Sequence, residues 1–406
     1  MCMKRLIPLI LLILSPLSLA AQNFSDIYSD VSSSINDIFT DQNTGLTIFP
    51  VLMAPGGGKY EGMGTAYTAV AGDTGFMEAN PSASSVLNNT ELSLIHNNWI
   101  ADTRLENVIY TMRFNDLGIG VAGKFLYVPY TGYDDWGERT GGGYYSESIA
   151  TANVSYNFLS TYSFYGLAVG ANLKVAYRNV PSVRYTDQSA LAALFDIGTL
   201  TRFNFLKFYA SRSKNFSVGL VLKNFGPRVL DEPLPTVLTA GVAYSPLRPV
   251  TIAYDLNIPI GYGQGAEKIN MAGGINVLVA DFFSLHSGFQ YRGANPRFSL
   301  GGTVDLTRVS FVANYTLDLT TLSNTPDRFS LEAKVNLGDE GRLALRNTID
   351  EFYISGVEEF AAGNLEKAIS YFEKALKLDP DFTPAREYLE EVNRQLRNRE
   401  ELRDLQ

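Results

Sequence analysis

The chain has 406 residues, of which 46% are hydrophobic and 18% are charged, and its formal net charge is −9. A mildly acidic chain without a basic tract is unsuited to binding nucleic acid, so nucleic acid is excluded as a partner. The single cysteine, Cys2, precedes the amino-terminal apolar stretch. This position excludes a disulfide and a lipid anchor at a cleavage site.

Residues 1–20 have the composition of a secretory signal peptide. Lys4 and Arg5 form the positive end, an apolar core runs from Leu6 to Leu14, and Ser18-Leu19-Ala20 offers a cleavage site. No later segment has the run of about 18 apolar residues that a transmembrane helix needs. The sequence therefore predicts an exported chain that can enter a membrane only as a closed barrel.

Residues 21–89 precede the regular pattern and form a separate segment. A short amphipathic helix is predicted from Ile27, Val31, Ile35, Ile38 and Phe39. A glycine-rich stretch follows between Gly56 and Gly72. The segment is too irregular to face lipid.

Residues 90–337 alternate apolar and polar side chains. Between Phe164 and Arg178, one face carries Tyr165, Leu167, Val169, Ala171, Leu173, Val175 and Tyr177, and the other carries Gly166, Gly170, Asn172, Lys174 and Arg178. A period of two indicates a strand between an apolar and an aqueous environment. The two tyrosines, at a rise of roughly 3.3 Å per residue and a tilt near 45°, are about 28 Å apart along the normal, which is typical of the aromatic girdles of a transmembrane barrel.

The same alternation predicts a mainly β, fourteen-stranded antiparallel transmembrane barrel over residues 90–337. The candidate strands lie near residues 90–99, 103–114, 117–127, 144–157, 164–178, 189–200, 215–224, 236–245, 249–257, 267–278, 282–292, 297–305, 307–317 and 327–337. An exported soluble β-sandwich is the alternative, but it would turn its polar face outward.

The lengths of the connections agree with a barrel, because outer-membrane barrels have short periplasmic turns and longer external loops. Short turns are predicted on the periplasmic side at 115–116, 246–248, 279–281 and near 306, and longer loops outside at 128–143, 179–188, 225–235, 258–266 and 318–326. Two connections depart from this pattern. The link at 100–102 is short for an outer loop, and the link at 201–214 is long for an inner turn.

Residues 338–406 change to a helical period with dense charge, and they are predicted to form a small all-α periplasmic domain. Helices are expected over 348–362, 365–378 and 384–399. The spacing of one tetratricopeptide repeat is matched by Phe352, Gly356, Gly363, Ala368, Phe372, Ala375 and Pro380, whereas Ser355 and Glu359 depart from it. A lone repeat leaves apolar surface that the barrel, a second copy of the chain or a periplasmic protein partner would have to cover. A plain helical hairpin is the alternative.

Two motifs in the amino-terminal segment resemble a known family. The stretch from Glu61 to Asp73, followed by Asn80-Pro81-Ser82, is similar to the start of FadL-like outer-membrane transporters and their PorV-type relatives. In that superfamily a Gly-x-Gly-x-Ala segment and an Asn-Pro-Ala motif belong to a hatch that plugs a fourteen-stranded barrel. The resemblance implies a hatch within residues 21–89, with Gly62, Gly64, Asp73, Asn80, Pro81 and Ser82 as its motif residues. An ordinary Asn-Pro turn is the alternative.

The sequence offers little for catalysis. His96 and His286 are the only histidines and lie on well-separated strands. No metal cluster, cofactor motif or phosphate-binding loop is recognisable, and a membrane esterase would lack a nucleophile elbow. We therefore expect neither an enzyme nor a bound cofactor.

The resemblance implies a channel in the outer membrane of a diderm bacterium, with outer-membrane lipid around it. Its cargo would be hydrophobic small molecules such as long-chain fatty acids, and the hatch would gate it. A carboxylate head group could meet polar residues predicted to face the lumen, namely Lys174, Arg178, Asp255, His286 and Arg292, although the same residues could merely fill the lumen. The alternative is a PorV-like scaffold that does not transport and whose helical tail recruits a protein.

Overall fold

A computed structural model of the protein describes residues 46–99, 102–161, 164–181, 187–209, 213–261, 267–292, 295–319 and 327–404. The predicted signal peptide, residues 1–20, and the amphipathic helix expected within residues 27–39 lie outside the described residues.

Fourteen antiparallel strands form a closed barrel in which each strand pairs with its neighbours in the chain and β1 pairs with β14. The fold prediction of a mainly β, fourteen-stranded barrel followed by helices is confirmed. The strands are β1 Thr90–Asn98, β2 Arg104–Phe114, β3 Leu117–Tyr133, β4 Arg139–Phe158, β5 Leu167–Asn179, β6 Ala190–Phe203, β7 Phe216–Phe225, β8 Val237–Leu247, β9 Val250–Pro259, β10 Asn270–Ala280, β11 Phe283–Arg292, β12 Asn295–Leu306, β13 Val309–Asp318 and β14 Arg328–Gly338.

The two faces of the wall differ in polarity because each strand alternates. Large apolar side chains such as Leu94, Val121 and Leu173 point outward and are exposed. Polar side chains such as Asn172 and Thr239 point inward and are buried. Closure of the sheet gives every strand a neighbour on both sides, so the wall has no free edge strand.

The barrel has two distinct ends. We call the end where β1 begins and β14 finishes the near end, and the opposite end the far end. Two-residue turns join β2 to β3, β8 to β9, β10 to β11 and β12 to β13 at the near end. The predicted far-end loop at 128–143 is wrong in its extent, because β3 and β4 continue as a paired hairpin to Tyr133 and Arg139. This hairpin extends further from the near end than the neighbouring β1–β2 hairpin, which finishes at the pair Asn98 and Arg104.

One predicted girdle residue does not face outward. Tyr165 precedes β5, packs against the interior cluster and lies under the guanidinium of Arg202, 5.0 Å from its ring centroid. Gly166, at φ +96°, breaks the alternation between Tyr165 and the strand. Tyr177 is exposed as expected. The pairing of Tyr165 with Tyr177 as two girdle residues is therefore wrong.

Residues 46–87, which we call the interior segment, lie inside the ring of strands. The segment contains two short helices, α1 Gly58–Gly62 and α2 Phe76–Ala79, and two 3-10 helices at Pro50–Leu52 and Pro81–Val86. Its apolar side chains form two clusters. One includes Met63, Tyr67 and Phe76, and the other is centred on Ile48, Phe49 and Val51.

Three helices follow the barrel at its near end: α3 Arg342–Ala361, α4 Leu365–Leu378 and α5 Thr383–Asp404. Their shared core includes Ile349, Phe372 and Val392. Gly356 allows α3 to approach the Phe372 ring, because a Cβ there would lie 2.6 Å from that ring. Searching the described residues for a helix with the length and hydropathy of a membrane span gives none.

Candidate functional site

The interior segment is bonded to strands around the whole barrel, which makes this interface the candidate functional site. Side chains of the wall accept or donate hydrogen bonds to the segment from β1, β4, β5, β7, β9, β13 and β14. Buried backbone groups need partners, and this irregular segment obtains many of them from wall side chains in place of a sheet ladder.

Asn80 is the most highly bonded residue of the segment. Its Nδ2 donates to the carbonyl oxygens of Thr68, at 2.8 Å, and Thr199, at 3.0 Å. Its Oδ1 accepts from the backbone N–H of Ser82 at 3.2 Å and from the Ser82 hydroxyl at 2.7 Å. Pro81 begins the 3-10 helix, where its missing N–H leaves no donor unsatisfied. The Asn80-Pro81-Ser82 motif thus joins two parts of the segment to β6.

Asp255 on β9 anchors the turn before this motif. Its Oδ2 accepts the backbone N–H groups of Tyr67 and Thr68, each at 3.0 Å. Charged acceptors make stronger hydrogen bonds than neutral ones, so this carboxylate holds the turn firmly to the wall. It does not line the cavity described below.

Glycines of the wall lie opposite the backbone of the segment. A Cβ would come within about 3 Å of the segment at Gly118, Gly170, Gly198, Gly219, Gly241, Gly274 and Gly288. Within the segment, Gly62 lies against His286, and Gly64, at φ +63°, lies against the backbone of Phe289. A glycine inside a strand often marks the close approach of another backbone, and the sequence showed these glycines at inward positions. That signal was available but was not used to predict the contact.

A cluster of charged and polar side chains near Asp73 joins the segment to β14 and β1. Asp73 lies 3.7 Å from Lys334, and Glu332 accepts from the hydroxyls of Thr74 at 3.1 Å and Ser93 at 2.5 Å. Burial raises the pKa of the Asp73 carboxyl, but Lys334 and Lys59, together with hydrogen bonds from Gly75 and Tyr67, bring the pKa below its ordinary value. Asp73 is therefore ionised inside the barrel at neutral pH, and its charge is balanced by lysine.

The two histidines are on opposite faces of the wall. His286 is buried inside, and its Nε2 donates to Asn314 Oδ1 at 2.6 Å, while Asn314 Nδ2 donates to the carbonyl of Gly58 at 2.9 Å. His96 faces outward and pairs with Glu106. Within the described residues, no group of three or more His, Cys, Asp and Glu residues is arranged to hold a metal ion.

A cavity of about 70 Å³ separates the two clusters of the interior segment. Two of the predicted lumen residues line it: Lys174, which pairs with Asp196 at 2.7 Å, and Arg292, which forms a two-point pair with Glu267 at 2.7 and 2.9 Å. Arg178 is elsewhere, near the far end, where its Nε donates to the carbonyl of Gln188.

Three charged residues of the cavity were not predicted. Lys124 pairs with Glu78 of the segment at 2.7 Å. Lys223 also lines the cavity, and it has no carboxylate within 4.0 Å among the residues the structure describes. Lys124 and Lys223 occupy inward positions of alternating strands, so the period of two could have identified both. Glu78 could not be identified in this way because it lies outside the strands.

Comparison with known proteins gives a family and a set of similar barrels. The model of the uncharacterised protein family UPF0164 matches residues 25–340. Among the relatives are two UPF0164 proteins of Treponema pallidum (strain Nichols). One is 27% identical over 373 residues, covering 87% of this chain and 84% of the relative, and the other is 24% identical over 369 residues, covering 84% and 74%.

Among solved structures, the barrel resembles a deletion mutant of the TodX monoaromatic hydrocarbon channel, with 11% identity, a TM-score of 0.46, and coverage of 71% of this chain and 98% of that chain. It also resembles the KdgM porin, with 12% identity, a TM-score of 0.32, and coverage of 61% and 99%. The family match spans the interior segment and all fourteen strands and finishes at the start of the helices. The chain belongs to the uncharacterised protein family UPF0164.

Proposed function

We propose that this protein is an outer-membrane channel for hydrophobic small molecules such as long-chain fatty acids. In this proposal the interior segment is a hatch that must move for cargo to pass, the near end is periplasmic and the role is not enzymatic. The observation that supports the proposal is a closed barrel with an apolar outer face. Its interior is filled by a segment that is held in place by hydrogen bonds, which can break and form again.

The distribution of polarity supports a membrane location. Leu94, Val121, Leu173, Leu300 and Phe311 are each at least half exposed on the outside of the wall, whereas the ion pairs Lys174–Asp196 and Arg292–Glu267 lie inside. Monomeric soluble proteins rarely expose contiguous apolar patches beyond a few hundred Å². Lipid would cover this surface without cost, because hydrocarbon is as apolar as the side chains.

The size of the cavity supports a hatch that moves. Pockets for drug-sized ligands occupy roughly 300–1,000 Å³, so the cavity of about 70 Å³ is too small for a fatty acid. An apolar molecule gains little from an open water-filled pore and instead needs a capture site and a release step. Displacement of residues 46–54 or 60–87 would provide both, and Lys223 would then be a free cation for a carboxylate.

A reversible cross-link tests the proposal. The hydroxyl oxygens of Ser84 and Ser155 are 2.6 Å apart, so the pair S84C/S155C should form a disulfide between the hatch and β4. We expect cells that produce the oxidised variant to take up labelled fatty acid at the rate of cells without the protein, and a reductant to restore uptake.

The matched control is a second pair that links two strands and leaves the hatch free. Ser245 and Thr251 have side-chain oxygens 2.9 Å apart on β8 and β9, so S245C/T251C should cross-link the wall alone and leave uptake unchanged. Equal uptake by cells with and without the wild-type protein would remove the transport proposal. Full uptake by the oxidised S84C/S155C variant would remove only the role of this part of the hatch.

A scaffold that recruits a periplasmic protein is the second candidate, and the attachment of the helices supports it. Arg342, the first residue of α3, donates from Nη1 to the carbonyl of Arg113 at 2.6 Å and from Nη2 to the carbonyl of Asn88 at 2.7 Å. These bonds fix the helical domain to the near end of the barrel. Helix residues Leu343, Leu345 and Ile354 remain exposed and could contact a partner.

Removal of the residues after Gly338 distinguishes the two candidates. For a channel, we expect uptake to persist, because none of the contacts between the hatch and the wall described above involves the helices. For a scaffold, we expect a protein that co-purifies with the full chain to be lost. The variant Arg342→Ala is a second, less disruptive test, since it removes two hydrogen bonds and leaves the helical core intact. Loss of uptake on both changes would mean that the helices are part of the transport machinery.

A further inference from the structure

The cavity of about 70 Å³ between the two clusters of the interior segment has polar groups on both of its sides. Roughly 10–15 Å³ is needed for one water molecule, so the cavity has room for about five non-hydrogen atoms. Lys223 on β7, Asn270 on β10 and Gln290 on β11 line it from the wall, and Tyr60 lines it from the segment. A small molecule in this space would therefore contact the wall and the interior segment together.

The acids around the cavity already have partners. Among the described residues that line it, Glu78 is the only acid, and it accepts from Asn107 Nδ2 at 3.0 Å and pairs with Lys124 at 2.7 Å. The carboxylates behind the lining pair in the same way with Lys174 and Arg292. A cationic ligand would thus find no free carboxylate in the described lining of the cavity.

Lys223 gives the cavity a positive charge without an ion pair. In the part of the chain that the structure describes, its ammonium group makes no hydrogen bond and has no carboxylate within 4.0 Å. Asp255 attracts it only from further away, and Asp255 Oδ2 already accepts two backbone N–H groups. The hydroxyl of Tyr60 and the side-chain amides of Asn270 and Gln290 likewise have no hydrogen-bond partner among the described residues. Polar groups inside a protein are normally hydrogen-bonded and charges are normally paired, so this set suits an anion that accepts hydrogen bonds.

Apolar side chains limit the kind of anion. Leu52 of the segment and Ile149 and Val237 of the wall also line the cavity. An inorganic anion would leave this apolar lining without contacts, whereas a short alkyl group would cover it. The cavity therefore suits a ligand with one charged end and one small apolar end.

We propose that the cavity binds one short-chain monocarboxylate of two or three carbon atoms. Lys223 donates to the carboxylate, Tyr60 adds a hydrogen bond from the segment, and the alkyl group packs on the apolar lining. Such a ligand holds the segment against the wall, because its site is complete only while the segment is in place. The inference goes beyond the proposed function and requires only the seated segment.

Unfolding in urea tests the site, because a ligand that binds only the folded chain lowers the equilibrium constant of unfolding. The full chain in detergent is compared in sodium acetate and in sodium chloride, each at about 100 mM. Very small ligands bind weakly, so we expect a dissociation constant on the order of 1 mM, and acetate should lower the unfolding constant about 100-fold relative to chloride. Acetamide has the size of acetate without its charge, and pivalate has the charge on a bulkier group. Each should change the unfolding constant by less than about twofold.

Two substitutions locate the effect. Lys223→Met should weaken acetate binding about 10–150-fold, because it removes a charged hydrogen-bond donor, and should reduce the effect on unfolding to less than about tenfold. The matched control is Lys367→Met, at an exposed lysine of α4, which should keep the whole effect. Tyr60→Phe removes one hydroxyl and keeps the ring, so it decides the question if Lys223→Met fails to assemble. It should reduce the effect of acetate by about 2–10-fold.

The results that would overturn this inference are distinct from those that bear on transport. An equal effect of acetamide, pivalate or chloride would overturn it, and so would an undiminished effect of acetate in Lys223→Met or, if that variant does not assemble, in Tyr60→Phe. If acetate has no effect on a chain that still mediates uptake, the carboxylate site is wrong and the channel stands. If acetate acts as expected on a chain that mediates no uptake, the site stands and the channel is wrong.

Discussion

Replacing Gly274 by valine is expected to displace the interior segment and open the barrel to small solutes. A Cβ at this position would lie 2.5 Å from the carbonyl oxygen of Met63, a backbone atom that cannot rotate away. Overpacking of this kind costs about 1–3 kcal/mol, which shifts an equilibrium between seated and displaced forms by about 5–150-fold. Conductance in planar bilayers should rise by a factor in that range.

The neighbouring residue supplies the control for this substitution. Gly273 faces outward on the same strand, and nothing lies within 4 Å of the Cβ that a substitution would add. Gly273→Val should therefore leave conductance and stability unchanged. If both variants behave like the wild type, the close contact between the wall and the segment does not restrict the interior. If both fail to assemble, Gly274→Ala, with its smaller side chain against the same Met63 backbone, repeats the test more gently.

Replacing Asn80 by alanine is expected to give the largest loss of stability of any single side-chain truncation in the interior segment. The change leaves the buried carbonyl of Thr68 and the N–H of Ser82 without the partner they have now, and it removes one donor from the part-buried carbonyl of Thr199. Each buried polar group left unsatisfied costs about 1–3 kcal/mol, so we expect a total loss of about 3 kcal/mol or more. Urea unfolding of the detergent-solubilised chain, monitored by the mobility of the folded form on gels, measures this.

One further variant shows which half of the Asn80 amide matters, and a second variant is the control. Asn80→Asp keeps the acceptor for Ser82 but sets a carboxylate oxygen against two carbonyl oxygens, so it should be at least as destabilising as alanine. Asn98→Ala removes an exposed amide at the limit of β1 and should change stability by less than about 0.5 kcal/mol. A tolerated Asn80→Asp would show that the two donated hydrogen bonds are not what holds the segment.

The architecture of the wall could be predicted from the sequence because it follows from a local pattern within each strand. Side chains on a strand alternate with a period of two, so each strand shows its two faces without reference to its partners. Thr239 and Asp255 can be placed inward, and Leu94 and Leu173 outward, from their own strands alone. The alternation failed at Tyr165, because the positive φ of Gly166 is a backbone property that the period does not encode.

The extent of the β3–β4 hairpin was harder to predict. The stretch from Pro129 to Gly143 is rich in glycine and tyrosine, which is typical of a loop, yet it is paired from Leu117 with Tyr156 to Tyr133 with Arg139. Once a ladder is long, further pairs add hydrogen bonds at little additional loop-closure cost, and the Tyr130 ring lying over Gly143 compensates for the missing side chain there. Composition alone therefore does not predict that β3 and β4 stay paired over this stretch.

By itself, the sequence determined the number of strands, the polarity of each face and the change to helices after Gly338, because these depend on periodicity along the chain. Only the tertiary structure decided which inward residues meet. Closure brings β14 beside β1, and the path of the interior segment joins Asn80 to β6, Tyr67 to Asp255 and Asp73 to Lys334. These contacts link residues more than a hundred positions apart in the chain, so no local pattern can encode them.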